Sequence, residues 1–465
     1  MKTLAAVLVL SFTAAHAASP VVRPDAYSAR GGEGAKYTAG ACSVSNRNCA
    51  TRSRCALDVC GASVKRRGRS DAATPRPASN PVYFRTGVTT MVVRHGKVVA
   101  FEVHGKKGFD GPAMTRDTVF RIYSQTKPVT GVAMMMLFEE GKWRLDDPVT
   151  RYIPEFKNLK VWKGVDAEGK PILVPVSRPP TMREVMSHTA GFGYGLADKH
   201  PVDLMFRDKR ILASNGLQDM INKVADTPLI YEPGTQWSYS VAVDIQGYLV
   251  EKLSGQTLGQ FMESRIFKPL KMTDTAFYVP AGKASRLAAV YVGNRETGKI
   301  EEARKVFDND MPTYLSPPAM ESGGGGLVGT TMDYARFAQM IANKGELDGV
   351  RILAPTSVEL MGTNVIPKDV LVNSNGTSGA RFNEAVGFGL DFMVVKDARA
   401  AGTNQGDGTM SWGGAAGTWF WIDPKNDLFF LGMIHILNKD GDPALRNLDD
   451  MSQQLVYQAL VDPSK

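Results

Sequence analysis

The stretch RIYSQTKPVT, residues 121–130, places Ser124 three residues ahead of Lys127 at the start of a predicted helix. Side chains at positions i and i+3 of a helix share one face, so the hydroxyl and the amine can come within hydrogen-bond reach. A serine becomes an effective nucleophile only when a base takes its proton, and a lysine can act as that base only where its surroundings lower its pKa. The neighbouring residues are mostly apolar, and the Ser-x-x-Lys pattern occurs nowhere else in the chain. The pattern predicts an activated nucleophile in a buried helix start.

Around this motif the sequence predicts a hairpin followed by a helix. Residues 88–105 contain two β-branched runs joined by His95-Gly96, a typical hairpin turn. From Thr126 the chain is helical up to Gly141, and the three methionines at 134–136 are expected in the helix core.

The rest of the chain predicts one sheet domain interrupted by helices. The clearest helical pair is broken at Ser254-Gly255, and residues 410–437 are typical of two strands around a turn at 423–427. An amphipathic helix closes the chain, with apolar Met451, Leu455, Val456 and Leu460 at helical spacing. We therefore expect an α+β fold in which an antiparallel sheet, built from residues 81–145 and 315–463, is flanked by helices and carries a mainly helical insertion at 146–314.

The N-terminal segment is expected to be a targeting sequence followed by a leader. Residues 1–18 have the charged start, apolar run and small residues of a cleavable signal peptide, which predicts export to the periplasm or the medium. Residues 19–80 lack hydrophobic periodicity and are predicted to be disordered. Two disulfides are possible in this leader, since all the cysteines of the chain lie there: Cys42, Cys49, Cys55 and Cys60.

The basic charge of the chain is local. Residues 1–85 hold 13 Lys and Arg against 4 Asp and Glu, and the remainder holds 42 against 43, so the positive net charge of the chain comes from residues 1–85. We expect no nucleic-acid partner for the main domain, no stable membrane insertion and an undetermined oligomeric state. No zinc-ligand spacing or HExxH motif occurs, so neither metal nor cofactor is expected.

Two further stretches could complete a site with Ser124. Tyr239 lies between a Pro-Gly loop and a predicted helix, where a phenol can point into a cleft and relay protons, although a buried Tyr with a satisfied hydroxyl is the simpler interpretation. Residues 411–417, SWGGAAG, are predicted at a strand start, where small residues let a substrate approach the backbone. A glycine-rich bulge would explain them equally well. Gly323–Gly326 lacks the residues of a phosphate-binding loop and is interpreted as a flexible turn.

Together these motifs resemble family VIII carboxylesterases, which are relatives of class C β-lactamases and D,D-peptidases. The resemblance extends from about Gly87 to Pro463 and includes FRIYSQTKPVTG, MSHTAGFGYG, ESGGGGLVGTTMDYARF and SWGGAAGTWFWIDPKNDL. It implies a serine β-lactamase-like fold, Ser124 as the acyl-accepting nucleophile, Lys127 as its proton acceptor and Tyr239 as an assisting group. It also implies an oxyanion hole from the N–H groups of Ser124 and Ala415, with substrate contacts at Trp412, Gly413 and Gly414.

Two departures from the class C pattern favour a small neutral ester as substrate. Tyr239-Ser240-Val241 replaces Tyr-Ala-Asn, and Trp412-Gly413-Gly414 replaces Lys-Thr-Gly. Losing a charge-assisted contact from that lysine to a carboxylate costs about 1.5–3 kcal/mol. The expected activity is a carboxylesterase that forms an acyl-enzyme on Ser124.

Alternatives remain open at this point. A β-lactamase or D,D-peptidase would share the acylation chemistry, and a non-catalytic binding protein could keep the cleft. A Ser-His-Asp esterase of the α/β-hydrolase fold would need Gly-x-Ser-x-Gly, which is missing from the sequence, and His188 is expected to be a loop residue near the cleft, not a general base.

Overall fold

The computed structural model describes residues 86–196, 200–294, 299–306, 309–372, 382–437 and 447–460. The predicted signal peptide, the leader and its four cysteines lie outside these residues. None of the described helices is long and apolar enough to cross a membrane.

The strands, numbered along the chain, are β1 (Val88–Arg94), β2 (Lys97–His104), β3 (Val119–Arg121), β4 (Lys160–Val165), β5 (Pro171–Pro175), β6 (Gln236–Trp237), β7 (Tyr291–Asn294), β8 (Lys299–Glu302), β9 (Lys305–Val306), β10 (Asn309–Asp310), β11 (Val328–Thr330), β12 (Glu346–Leu347), β13 (Val350–Arg351), β14 (Leu371–Val372), β15 (Val386–Phe388), β16 (Met393–Val395), β17 (Met410–Gly413), β18 (Trp419–Asp423), β19 (Leu428–Met433) and β20 (Ile436–Leu437). The α-helices are α1 (Thr126–Glu139), α2 (Met182–Met186), α3 (Pro201–Asp208), α4 (Leu217–Ala225), α5 (Ala242–Ser254), α6 (Leu258–Met262), α7 (Thr331–Ala342), α8 (Pro355–Met361) and α9 (Leu448–Gln458).

Within the described residues, one sheet has seven strands in the order β15-β16-β17-β18-β19-β1-β2. Every neighbouring pair is antiparallel. The first hairpin turns at His95 and Gly96, which both have positive φ, as the predicted tight turn requires. This sheet joins the first hairpin to the last third of the chain, so the two predicted sheet segments meet in one structure.

Helix α1 runs through the interior next to this sheet. Its residues from Thr126 to Leu137 are all buried, including the three methionines predicted for the core. It packs against α5, and α7 packs against β19, β1 and β18. A helix buried on every side needs no polar face, which explains its nearly continuous apolar sequence. The start of α1 is therefore held rigidly from several directions.

Two sequence-based predictions need correction. Residues 410–437 form β17, β18 and β19 followed by the short β20, not two strands. In α9, Met451 is 36% exposed, whereas Leu448, Ser452 and Val456 are buried. This stripe packs against the sheet, where Leu448 and Val456 share a cluster with Trp419 and the Trp419 indole N–H donates to Ser452 Oγ at 3.1 Å. Because the buried stripe includes the polar Ser452, a pattern of apolar residues alone does not identify it.

Candidate active site

Ser124 lies on a tight turn between β3 and α1. Tyr123 has a positive φ of 43°, and residues 123–125 form a single 3-10 turn that leads into α1. Left-handed backbone is unfavourable for a bulky residue and persists only where surrounding structure holds it. Here the Ile122 N–H donates to Leu327 O at 3.0 Å and the Arg121 N–H donates to His435 Nε2 at 2.8 Å. The turn leaves Ser124 partly exposed above the buried helix start.

Lys127 lies one helical turn beyond Ser124 and is 1% exposed. Its ammonium donates to Gly324 O at 2.6 Å, to Tyr194 Oη at 3.1 Å and to Ser124 Oγ at 3.3 Å. It also lies 4.7 Å from the centroid of the Tyr239 ring. The predicted Ser-Lys pair is therefore brought together, with the lysine buried.

Tyr239 completes this arrangement from the loop before α5. Its hydroxyl donates to Ser124 Oγ at 2.7 Å. The backbone on either side is fixed, because the Ser238 N–H donates to His188 O and the Val241 N–H to Gly193 O, both at 3.0 Å. Although Tyr239 is 115 residues away in the sequence, it makes the shortest contact to the Ser124 hydroxyl.

The electrostatics around Lys127 differ from the prediction. Burial of the amine lowers the pKa of Lys127, but the surrounding Tyr194, Tyr239 and Asp244 side chains raise it, and the net shift is upward. The expected depression of this pKa is therefore wrong. Lys127 carries its proton in the resting site, where it supplies a positive charge beside Ser124 and Tyr239.

The SWGGAAG stretch lies at the end of β17 and in the turn that follows, not at a strand start. Trp412 packs beside the site, with ring centroids 5.5 Å from Tyr239 and 5.4 Å from Phe388. Gly413 and Gly414 follow it, and any Cβ on Gly414 would overlap with Ile122 O and Thr418 Oγ1. Glycine thus lets this turn approach the segment that precedes Ser124.

The predicted oxyanion hole involves the N–H groups of Ser124 and Ala415. Within the described part of the chain, neither N–H donates to a turn or loop carbonyl. Ala415 lies in the turn after β17 and packs against a small buried cluster that includes Tyr123, Val290 and Ala416. Their joint role stays a prediction, since it depends on where a substrate oxygen binds.

These features form a serine-lysine-tyrosine site on a helix start beside an antiparallel sheet. A family model described as Beta-lactamase matches residues 82–457. The chain belongs to the β-lactamase family. The family and fold class predicted from the motifs are confirmed.

Relatives of this β-lactamase-family protein include an uncharacterised protein of Mycobacterium tuberculosis, 36% identical over 356 residues that cover 75% of this chain and 85% of the relative. The esterase EstB of Burkholderia gladioli is 30% identical over 354 residues, which cover 72% and 82% of the two chains. Among solved structures, EstCE1, a hydrolase with promiscuous acyltransferase activity, has a TM-score of 0.67 at 26% identity and covers 81% of this chain and 95% of its own. Unliganded simvastatin synthase from Aspergillus terreus shares the fold, with a TM-score of 0.66, 22% identity and coverage of 83% and 100%.

The β-lactamase-family site also contains residues that sequence reasoning missed. Tyr194 accepts from the Lys127 ammonium, and its ring meets that of Tyr239 edge-on at 5.2 Å. Burial raises the pKa of Tyr194, which keeps it a neutral phenol. Its motif, MSHTAGFGYG, was noticed only as part of a resemblance. Nothing in its spacing indicates contact with Lys127.

His188 supports Tyr239 and does not reach Ser124 within the contacts that the structure describes. Its Nδ1 accepts from the Ser240 N–H at 3.2 Å and lies 2.9 Å from Ser240 Oγ. Burial, and secondarily the charge of Lys127, hold the pKa of His188 well below its usual range. The ring is therefore neutral, in keeping with the prediction of a loop residue near the cleft.

Residues 323–325 form a turn, as predicted for Gly323–Gly326, and the first part of this turn is tightly packed. Gly323 and Gly324 are buried, and Gly324 O is the nearest acceptor of the Lys127 ammonium. A Cβ on Gly324 would overlap with Asp244 Oδ2, and a Cβ on Gly323 would lie 2.6 Å from Val243 O. The glycines permit close packing on α5, a requirement that the sequence does not distinguish from flexibility.

No cluster of three or more His, Cys, Asp or Glu side chains that could hold a metal ion occurs among the described residues.

Proposed function

We propose that this protein is an esterase that hydrolyses small carboxylic esters through an acyl-enzyme on Ser124. The observation that carries the proposal is the pair of contacts on Ser124 Oγ, 2.7 Å from Tyr239 Oη and 3.3 Å from Lys127 Nζ. A serine within hydrogen-bond reach of a phenol and a buried lysine has an acceptor for its proton once either group has given up its own, and the positive charge beside them favours that transfer.

In the proposed acylation step, Ser124 Oγ attacks the ester carbonyl carbon. Tyr239 and Lys127 can exchange a proton with each other. When the pair has lost one proton, Tyr239 Oη is the acceptor closer to the Ser124 hydroxyl. Lys127 then acts mainly through its charge, which reverses the roles that the family resemblance implied. The alkoxide leaves with the proton from Tyr239, and water attacks the acyl-enzyme by the same transfers in reverse.

The first experiment compares the wild-type protein on p-nitrophenyl butyrate and on a chromogenic cephalosporin. We expect kcat/KM for the ester to exceed that for the cephalosporin by at least about tenfold, because Trp412 offers no charge-assisted contact to a β-lactam carboxylate. Intact-mass spectrometry of protein quenched during ester turnover should show an acyl adduct, and peptide mapping should place it on Ser124. Turnover without any adduct at Ser124 argues against the mechanism, and faster cephalosporin hydrolysis supports a β-lactamase instead.

A second candidate, transfer of the acyl group to an alcohol, is favoured by the likeness to EstCE1. Adding a primary alcohol to the ester assay distinguishes the two. Formation of a new ester at the expense of free acid indicates transfer, and an unchanged yield of acid indicates hydrolysis alone.

A cavity of about 480 Å³ adjoins the site and is proposed to receive the apolar part of the ester. It begins at Tyr123 and Tyr194, which flank Ser124 and Lys127, and continues between apolar side chains. Its apolar lining includes Leu212, Phe277, Pro317 and Met320. Cavities of this size and polarity are typical of small-molecule sites.

Substitution of Leu212 by tryptophan tests this placement. The larger side chain should narrow the cavity and lower kcat/KM for p-nitrophenyl octanoate by about tenfold relative to the acetate, because the longer chain loses room. Leu204→Trp is the matched control, since Leu204 on α3 is 39% exposed and is not part of the cavity lining. An octanoate-to-acetate ratio that is equal in both variants would show that the chain binds elsewhere.

A further inference from the structure

Asp244, in the first turn of α5, is a buried carboxyl behind the catalytic groups. It is 0% exposed. Its Oδ1 accepts from Ser322 Oγ at 2.5 Å and from the Gly324 N–H at 3.1 Å. Burying a carboxyl without such partners costs several kcal/mol, so these two donors stabilise the carboxyl in its observed position.

The same glycine connects Asp244 to Lys127. The N–H of Gly324 donates to Asp244 on one side, and its carbonyl accepts from the Lys127 ammonium at 2.6 Å on the other. A second contact clamps the loop, because Thr130 Oγ1 of α1 donates to Gly323 O at 2.8 Å. A shift of Asp244 therefore moves Gly324 O, the nearest acceptor of the Lys127 ammonium.

We propose that Asp244 is a positioning residue for Lys127, which it holds through the Gly324 peptide and whose charge it balances. This inference rests on the proposed ester hydrolysis, in which Lys127 acts beside Ser124. Asp244 has no contact with Ser124 in the described structure, so its effect must pass through Lys127. It deepens the proposed function by identifying the group that keeps Lys127 charged and in place.

The charges around Lys127 support this assignment. Burial lowers the pKa of Lys127, whereas Tyr194, Tyr239 and, to a smaller extent, Asp244 raise it. Burial raises the pKa of Asp391 well above its usual range, so this second buried acid is protonated and contributes no charge. His188 is neutral for the reason given above. The titratable groups facing Lys127 are thus Tyr194, Tyr239, Asp244, His188 and Asp391. Burial raises the pKa of Asp244 as well, but the charge of Lys127 and the hydrogen bonds from Ser322 and Gly324 oppose that rise, so Asp244 is the acid that these contacts favour in its charged form.

The test is Asp244→Asn in the full-length protein, with the pH dependence of kcat for p-nitrophenyl butyrate as readout. Removing the negative charge lowers the pKa of Lys127, so the alkaline limb of the kcat profile should move to lower pH by about one unit. At neutral pH, kcat should fall about tenfold to a hundredfold while KM changes less than about threefold. An unmoved alkaline limb overturns the proposal, even where kcat falls.

Asp391→Asn is the matched control, because it removes a buried carboxyl that carries no charge. It should leave the alkaline limb in place, and an equal shift in both variants contradicts the assignment.

Ser322→Ala removes one hydrogen bond to Asp244 but not its charge, so kcat should fall about threefold with the limb unmoved. If Asp244→Asn does not fold, a wild-type kcat in Ser322→Ala is the result that overturns the proposal. If the wild-type protein lacks ester turnover, the proposed function itself fails.

Discussion

Replacement of Ser124 by alanine should lower ester hydrolysis by about four orders of magnitude. Without the hydroxyl no acyl-enzyme forms, and Tyr239 and Lys127 have no nucleophile to serve. The partly exposed side chain loses one atom and two hydrogen bonds, so the fold should persist with a nearly unchanged Tm.

The measurement is kcat/KM for p-nitrophenyl butyrate, with circular dichroism to verify folding. Ser264→Ala is a suitable control, because Ser264 is exposed and its hydroxyl bonds only to the carbonyls of Gln260 and Phe261 in the described contacts. It should retain wild-type activity. If Ser124→Ala keeps more than about a hundredth of the wild-type rate, another group is the nucleophile.

Lys127→Met should lower kcat by about three orders of magnitude, with a much smaller effect on KM. Methionine preserves most of the length and the apolar packing but removes the charge beside Ser124 and Tyr239. Burial raises the pKa of Asp244 and the charge of Lys127 opposes that rise, so in this variant Asp244 takes up a proton more readily.

Tyr194→Phe tests whether the charge of Lys127 or its position limits the reaction, because it leaves the charge in place and removes one hydrogen bond to the ammonium. Phenylalanine keeps the ring but removes one of three acceptors of the ammonium, so kcat should fall only about tenfold. Steady-state kinetics and thermal unfolding of both variants provide the comparison. Equal losses in the two variants would mean that the position of Lys127, not its charge, limits the reaction.

The sequence was sufficient to predict that Ser124, Lys127 and Tyr239 lie together. Ser124 and Lys127 are one helical turn apart, so their contact follows from local geometry once a helix forms. Tyr239 could be predicted because a phenol between a Pro-Gly loop and a helix start has a recognisable pattern. The hairpin at His95-Gly96 was predictable for the same reason, since the turn chemistry is local.

What the sequence alone could not show depends on contacts between distant segments. Tyr194 and Gly324 reach Lys127 from 67 and 197 residues away, and each looks ordinary in its own segment. The sign of the pKa shift of Lys127 was mispredicted for this reason, because an apolar local sequence does not reveal that Tyr194, Tyr239 and Asp244 arrive from other segments.

The sequence by itself thus determined the family, the fold class and the three side chains that meet at Ser124. Periodicity and turn residues act over a few positions, and catalytic motifs keep their spacing along the chain. Only the tertiary structure decided which charges surround Lys127, which glycines are packed and which face of α9 is buried. Electrostatic and packing interactions depend on distance in space, and the fold sets that distance independently of separation in sequence.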